Sequence, residues 1–197
     1  MYVRIHINQK TVGRIKLLLL MAMFLAPLVV AYTLFTRGWY SRDTVNYGEL
    51  IQPARSLSGT GLHSIAGQTF TFDAFPHKWT MLYVGSARCP SACQTALYRM
   101  RQVHLAQGRQ ANRVQRVFVA TDDTSSSDLW FSDYPGMQIL TGATDAIDAW
   151  ARQYGLLPDR TYLVDPLGNL MMSYPLDSSA SGMRKDLSRL LRASQIG

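Results

Sequence analysis

Cysteine is scarce in this 197-residue chain: Cys89 and Cys93 are the only two, so any sulfur chemistry rests on that one pair. Acidic residues are missing around Arg4, Lys10, Arg14 and Lys16, and charge of either sign is missing from Leu17 to Phe35. There is no internal repeat and no low-complexity block, which excludes a stacked-repeat architecture. The formal charge of +7 does not imply a nucleic-acid partner. Four of the twenty basic residues precede the uncharged run, leaving sixteen Lys and Arg against thirteen Asp and Glu, about +3, in the remainder.

What is present begins with that uncharged run. Its nineteen residues, mostly Leu, Met, Val, Phe and Ala, suffice to cross a bilayer core of about 30 Å, and Pro27 is tolerated within it. The flanking cations place residues 1–16 in the cytoplasm and export the rest. A cleaved signal peptide is the competing reading, with Ala31 in a passable small-residue pattern, but signal cores usually span only about 7–15 residues. A retained anchor over 17–36 is therefore expected, with Trp39 and Tyr40 in an interfacial aromatic belt.

The cysteines follow an apolar, β-branched stretch, Trp79 to Gly85, that reads as a buried strand. Ser86 to Arg88 makes a short crossing, and Pro90 suits the first position of a helix. Both sulfurs then lie at a helix N-terminus, where free N–H groups and the helix dipole favour thiolate, with Arg88 as a neighbouring cation. One turn separates them, so they can close a disulfide or hold a soft metal such as Cu(I). Two ordinary core positions is the plainer alternative. Outside the cytoplasm the default for such a pair is a structural staple. A loop this short gains little from cross-linking, so a redox or metal role at an exposed, electropositive corner fits the spacing better.

A tether is expected over 37–61, then a globular part over 62–197. Gln68 to Phe72 alternates as a half-buried strand, and a helix runs from the cysteines to about Gln107, with Gly108 placed to end it. Strands are expected at Val114 to Ala120 and Met137 to Leu140. A helix capped by Asp145 should stop at Gly155. Thr161 to Val164 and Leu170 to Tyr174 form a hairpin around Asp165, Pro166, Leu167, Gly168 and Asn169, and the last helix covers Ser181 to Arg192. This order predicts an α/β fold, a mixed sheet covered on both faces, with the cysteines at a strand's carboxyl end. Arg99, Arg101, Arg109, Arg113 and Arg116 cluster along the cysteine helix, as a solvated face or a docking surface for an acidic partner.

Five stretches in this order resemble the Sco/SenC family. They are Lys78 to Gly85, the Cys-Pro-x-x-Cys element from Cys89 to Cys93, Phe118 to Asp122, Leu140-Thr141-Gly142 with the helix to Gly155, and Tyr162 to Gly168. The resemblance spans about residues 62–192. It implies a thioredoxin-like fold, an N-terminal anchor, and a role in delivering copper to cytochrome c oxidase. One departure stands out. The family's third copper ligand is a His in an Asp-His-Ser/Thr triplet, and here the triplet reads Asp159, Arg160, Thr161. A guanidinium cannot ligate a metal, though its charge would stabilise thiolates. Substitute ligands are few: His63, His77 and His104 read as surface or packing residues, Met171 and Met172 as core fillers, and Asp122 as a loop-capping acid or a proton shuttle.

The expected function is a membrane-anchored, periplasm-facing accessory of cytochrome c oxidase assembly in the inner membrane, its Cys89–Cys93 dithiol acting on a copper-site partner. A general thiol-disulfide oxidoreductase, with Cys89 attacking and Cys93 resolving, is the alternative. So are a Cu(I) carrier with a substitute ligand and a simple binding module.

Overall fold

The structure, a computed structural model, describes residues 9–37, 45–57, 62–65, 67–70, 78–122 and 132–194. It divides into two units, Met1–Thr44 and Val45–Gly197. In the first, helix α1 covers Gln9–Thr36 and contains the expected span; Val12–Thr36 is long and apolar enough to cross a membrane, and none of it is buried against protein. Pro27 sits inside it, and the Thr33 and Thr36 hydroxyls donate back to carbonyls of their own helix, which keeps those polar groups satisfied in an apolar setting. Trp39 and Tyr40, assigned above to an aromatic belt, lie outside the described residues.

The second unit is built on one mixed sheet. Its strands are β1 (Glu49–Ser56), β2 (Leu62–Ser64), β3 (Thr69–Phe70), β4 (Trp79–Gly85), β5 (Val114–Ala120), β6 (Met137–Thr141), β7 (Thr161–Val164) and β8 (Asn169–Tyr174), in the order β1-β8-β7-β4-β5-β6-β2-β3. β4, β5 and β6 run parallel; β7, β8 and β1 follow in antiparallel pairing on the other flank of β4, and β2 and β3 do so beyond β6. All seven residues of β4 are buried, which is why it reads as an unbroken apolar run.

Alternation along the central strands makes two cores. Trp79, Met81 and Tyr83 with Val114 and Phe118 face helices α2 (Ser91–Leu105) and α4 (Ala180–Ala193), whose Leu97, Met100, Met183, Leu187 and Leu191 close that side. Leu82, Val84, Val117 and Val119 face the opposite way, onto Ile147, Trp150 and Tyr154 of α3 (Thr144–Tyr154). Helices on both faces of a mixed sheet bear out the expected thioredoxin-like α/β architecture.

Local chemistry explains the element ends. α3 stops at Gly155 in the left-handed region (φ +67°), where the Gly155 and Leu156 N–H groups return to Arg152 and Ala151 carbonyls. In the β7–β8 turn the Asp165 carboxylate accepts from the Leu167 and Asn169 N–H groups at 2.9 and 2.8 Å. Met171 bulges out of the β7–β8 register, so it and Met172 both pack toward the α2 side as core fillers.

Several expectations are corrected. The tether over 37–61 does not hold at Glu49–Ser56, because β1 pairs with β8 there; an edge strand exposed at nearly every residue and carrying Pro53 has no apolar alternation to betray it. Asp145 does not cap α3: the N-cap is Ala143, and Asp145 lies in the first turn. Pro90 is the N-cap of α2 rather than its first residue. The basic face is also largely dispersed: Arg113 caps carbonyls of Leu191 and Ser194 at the end of α4, and Arg101 donates to the Asp133 carbonyl. Arg116 is buried, donating to the Pro135 carbonyl at 2.6 Å.

Candidate functional site

Gly85 ends β4, where its carbonyl accepts from Thr121 at the end of β5. The turn that follows is held by Asp122: one carboxylate oxygen accepts from the Ser86 hydroxyl at 2.6 Å and the other from the Ala87 N–H. Asp122 in this way caps the loop that follows β4. The Ser86 carbonyl in turn accepts the Cys89 N–H at 3.0 Å.

Cys89 has a left-handed backbone (φ +41°), a conformation that costs a residue with a Cβ about 1–2 kcal/mol unless its surroundings fix it. From that position it closes a disulfide with Cys93, in the first turn of α2, with Cα atoms 5.0 Å apart. The N-cap Pro90 offers no side-chain acceptor to the first N–H groups of α2.

The expected exposed corner is overturned. Cys89 and Cys93 are each only 1% exposed and belong to the core shared by Tyr83, Ala87 and Leu97, while Arg88 and Pro90 between and beside them are exposed. The run after β4 turns inward because both cysteines are apolar in the disulfide form and Ala87 and Ala96 leave room for them.

Arg160 is held by the strands beyond β7. Its guanidinium pairs with Glu49 of β1 and reaches the Ser173 hydroxyl of β8 at 3.2 Å. Those strands lie on the side of β7 away from β4. The Arg160 hydrogen bond, against a smaller burial effect, holds the Glu49 carboxyl below its ordinary range. It is Asp159, itself left-handed (φ +59°), that meets β4, the strand leading to the cysteines, accepting the Tyr83 hydroxyl at 2.8 Å.

The other candidate ligands are scattered. His63 sits on β2 near the far edge of the sheet. His104 turns its Nε2 to the Ala111 and Val114 carbonyls, and burial followed by the Arg116 charge lowers its pKa. Met172 accepts the Tyr174 hydroxyl at 3.3 Å within the core. His77 lies outside the described residues. Among the described residues no three His, Cys, Asp or Glu groups gather as a metal site. Among the described residues the two sulfurs are bonded to each other, and in that state they offer no thiolate to a metal.

Sequence reasoning missed Tyr83, Ser86 and Gln94 as parts of this site. The signal for Tyr83 was its spacing from Gly85: a Cβ on Gly85 would come within 2.7 Å of the Tyr83 ring, so glycine there lets the ring lie along the strand.

A mixed sheet with helices on both faces, and a cysteine pair bridging the end of a central strand and the start of the next helix, defines the thioredoxin class. Residues 79–194 match the family described as the transmembrane-like, thioredoxin-like, C-terminal domain, and the chain belongs to that family. No curated protein matches the chain. Among solved structures it is similar to yeast Sco1 with copper bound, at 21% identity and a TM-score of 0.62 over 71% of this chain and 95% of that one. It is likewise similar to Arabidopsis thaliana ScoI with copper bound, at 20% identity and 0.61 over 71% and 100%. A third is BsSco, named a member of the Sco family of cytochrome c oxidase assembly proteins with a disulfide switch, at 13% and 0.59 over 72% and 96%. At these identities the likeness is one of fold.

Proposed function

We propose that this is a membrane-anchored, Sco-like accessory of cytochrome c oxidase assembly, its globular part facing the periplasm of a single-pass inner-membrane protein. Its chemistry is dithiol exchange with a partner whose cysteines receive copper. The observation that carries the reading is the Cys89–Cys93 bond between β4 and α2, the position from which thioredoxin-like folds act on sulfur. The apolar α1 and the oxidised state of the pair support an exported domain on an anchor.

In the reduced protein the Cys89 thiolate attacks a partner disulfide; that S–S bond breaks, a mixed disulfide forms, and one partner sulfur leaves as thiolate. Cys93 then attacks Cys89, closing the bond seen here and releasing the second partner thiolate. Two electrons pass to the partner, and an exported dithiol reductant restores the pair. Copper is cargo for the partner's freed thiols.

With both sulfurs buried, exchange needs the turn after β4 to open first, which weighs against a general oxidoreductase that meets many substrates and asks, of the reading proposed here, a partner that opens it. Here the turn must open on a particular partner. The test is deletion of the gene, followed by oxidase activity and copper content of the oxidase. Loss of both, restored by the wild type and not by Cys89→Ser, is expected; full activity and normal copper loading in the deletion strain overturn the proposal.

A further inference from the structure

Cys89 has a left-handed backbone, and both of its main-chain polar groups are held. Its N–H goes to the Ser86 carbonyl at 3.0 Å. Its carbonyl accepts Nε2 of Gln94 at 3.1 Å, from the residue immediately after Cys93. Gln94 is exposed and contributes nothing to the core, so its side chain has no packing duty. Its own N–H closes the first turn of α2 on the Pro90 carbonyl at 3.0 Å, fixing the point from which the amide reaches back.

We infer that Gln94 is a positioning residue for the cysteine pair: its amide holds Cys89 in the left-handed conformation that brings its sulfur to Cys93, and so favours the disulfide over the dithiol. The inference rests on the dithiol reading above. Once the S–S bond is reduced, nothing covalent keeps Cys89 left-handed; its backbone relaxes and the Gln94 bond is lost. A hydrogen bond made in one redox state only shifts the equilibrium between the two.

The test is the equilibrium of the full chain, in detergent, with mixtures of reduced and oxidised dithiothreitol, read by alkylation of free thiols. Gln94→Leu removes the donor at similar size. Thr95→Ala is the control, since the Thr95 hydroxyl bonds only the Ser91 carbonyl on the same turn. Gln94→Leu is expected to move the equilibrium constant roughly three- to tenfold toward the dithiol, about 15–30 mV at 30 mV per tenfold, with Thr95→Ala unmoved. A wild-type pair that titrates reversibly while Gln94→Leu titrates identically overturns the inference alone. A wild-type pair that does not exchange at all removes the dithiol reading and this inference with it, leaving a stapled scaffold.

Discussion

The Tyr83 hydroxyl donates to Oδ1 of Asp159 at 2.8 Å, joining the strand that leads to the cysteines to the loop that precedes β7. Burial, and then the Asp159 carboxylate, raise the Tyr83 pKa, so the phenol stays a donor at any physiological pH. Its ring stacks on Phe118, its register partner on β5, at 5.8 Å between centroids. Tyr83→Phe keeps the ring and loses the bond to an exposed carboxylate, and is expected to cost about 1 kcal/mol. Gly85→Ala forces a methyl into the Tyr83 ring and should cost more, about 1–3 kcal/mol. Urea unfolding of both variants checks the order; an equal or reversed ranking would mean that the ring is not seated over Gly85.

Asp186 anchors the start of the globular unit. It is 1% exposed, and its Oδ2 accepts from the N–H groups of Tyr47 and Gly48 at 2.8 and 2.9 Å and from the Tyr174 hydroxyl at 3.2 Å. The nearest cation, Arg189, is 3.8 Å from Oδ1. Asp186→Ala strands the Tyr47 and Gly48 N–H groups and leaves the Tyr174 hydroxyl only the Met172 sulfur, and is expected to cost about 3 kcal/mol. Asp186→Asn retains one acceptor oxygen and should cost less. Limited proteolysis supplies the readout: the alanine variant should be cut near Tyr47 at a protease level that spares wild type and the asparagine variant.

His104 makes stability pH-dependent in a defined direction. Its Nε2 faces two carbonyls and must carry the proton, while the groups that bear on it are cationic, Arg116 on β5 and Lys78 ahead of β4. Burial and that charge lower its pKa from 6.5, so on acidification the unfolded chain takes up a proton before the folded one. The contribution is whole above pH 6.5 and is lost as pH falls from there toward the folded value. Urea midpoints should decline between about pH 7 and 5, and His104→Gln should flatten that slope. Glu49, lowered by Arg160, acts only further down, below its ordinary value of 4.5.

The parts of this fold that could be read from sequence are those where burial and periodicity agree. β4, β5 and β7 end where the apolar runs end, and Gly155 and the Asp165 turn announce themselves by residue type. β1 stayed hidden because its pairing with β8 is made by backbone while its side chains face water. The cysteine pair was legible as a site, but its burial was not, since the left-handed turn at Cys89 that folds it inward leaves no mark in composition. Arg160 shows the same limit from the other side. The triplet it occupies is visible in one dimension, and the direction of its side chain depends on Glu49, 111 residues away.

That direction carries a prediction about copper. If position 160 merely lacked the right side chain, Arg160→His would rebuild a three-ligand site with Cys89 and Cys93. The guanidinium instead bonds to Ser173 of β8 and Glu49 of β1, whereas the cysteines follow β4, which pairs with the other edge of β7. The reduced Arg160→His variant should therefore take up no more Cu(I) than reduced wild type in competition with a chelator of known affinity. Stability should change little, by about 0–1 kcal/mol, because Glu49 is largely exposed and the pair is screened. One tightly held Cu(I) gained by the variant, and lost again on adding Cys89→Ser and Cys93→Ser, would mean that position 160 faces the sulfurs after all. In that case the missing imidazole alone would separate this chain from a copper carrier.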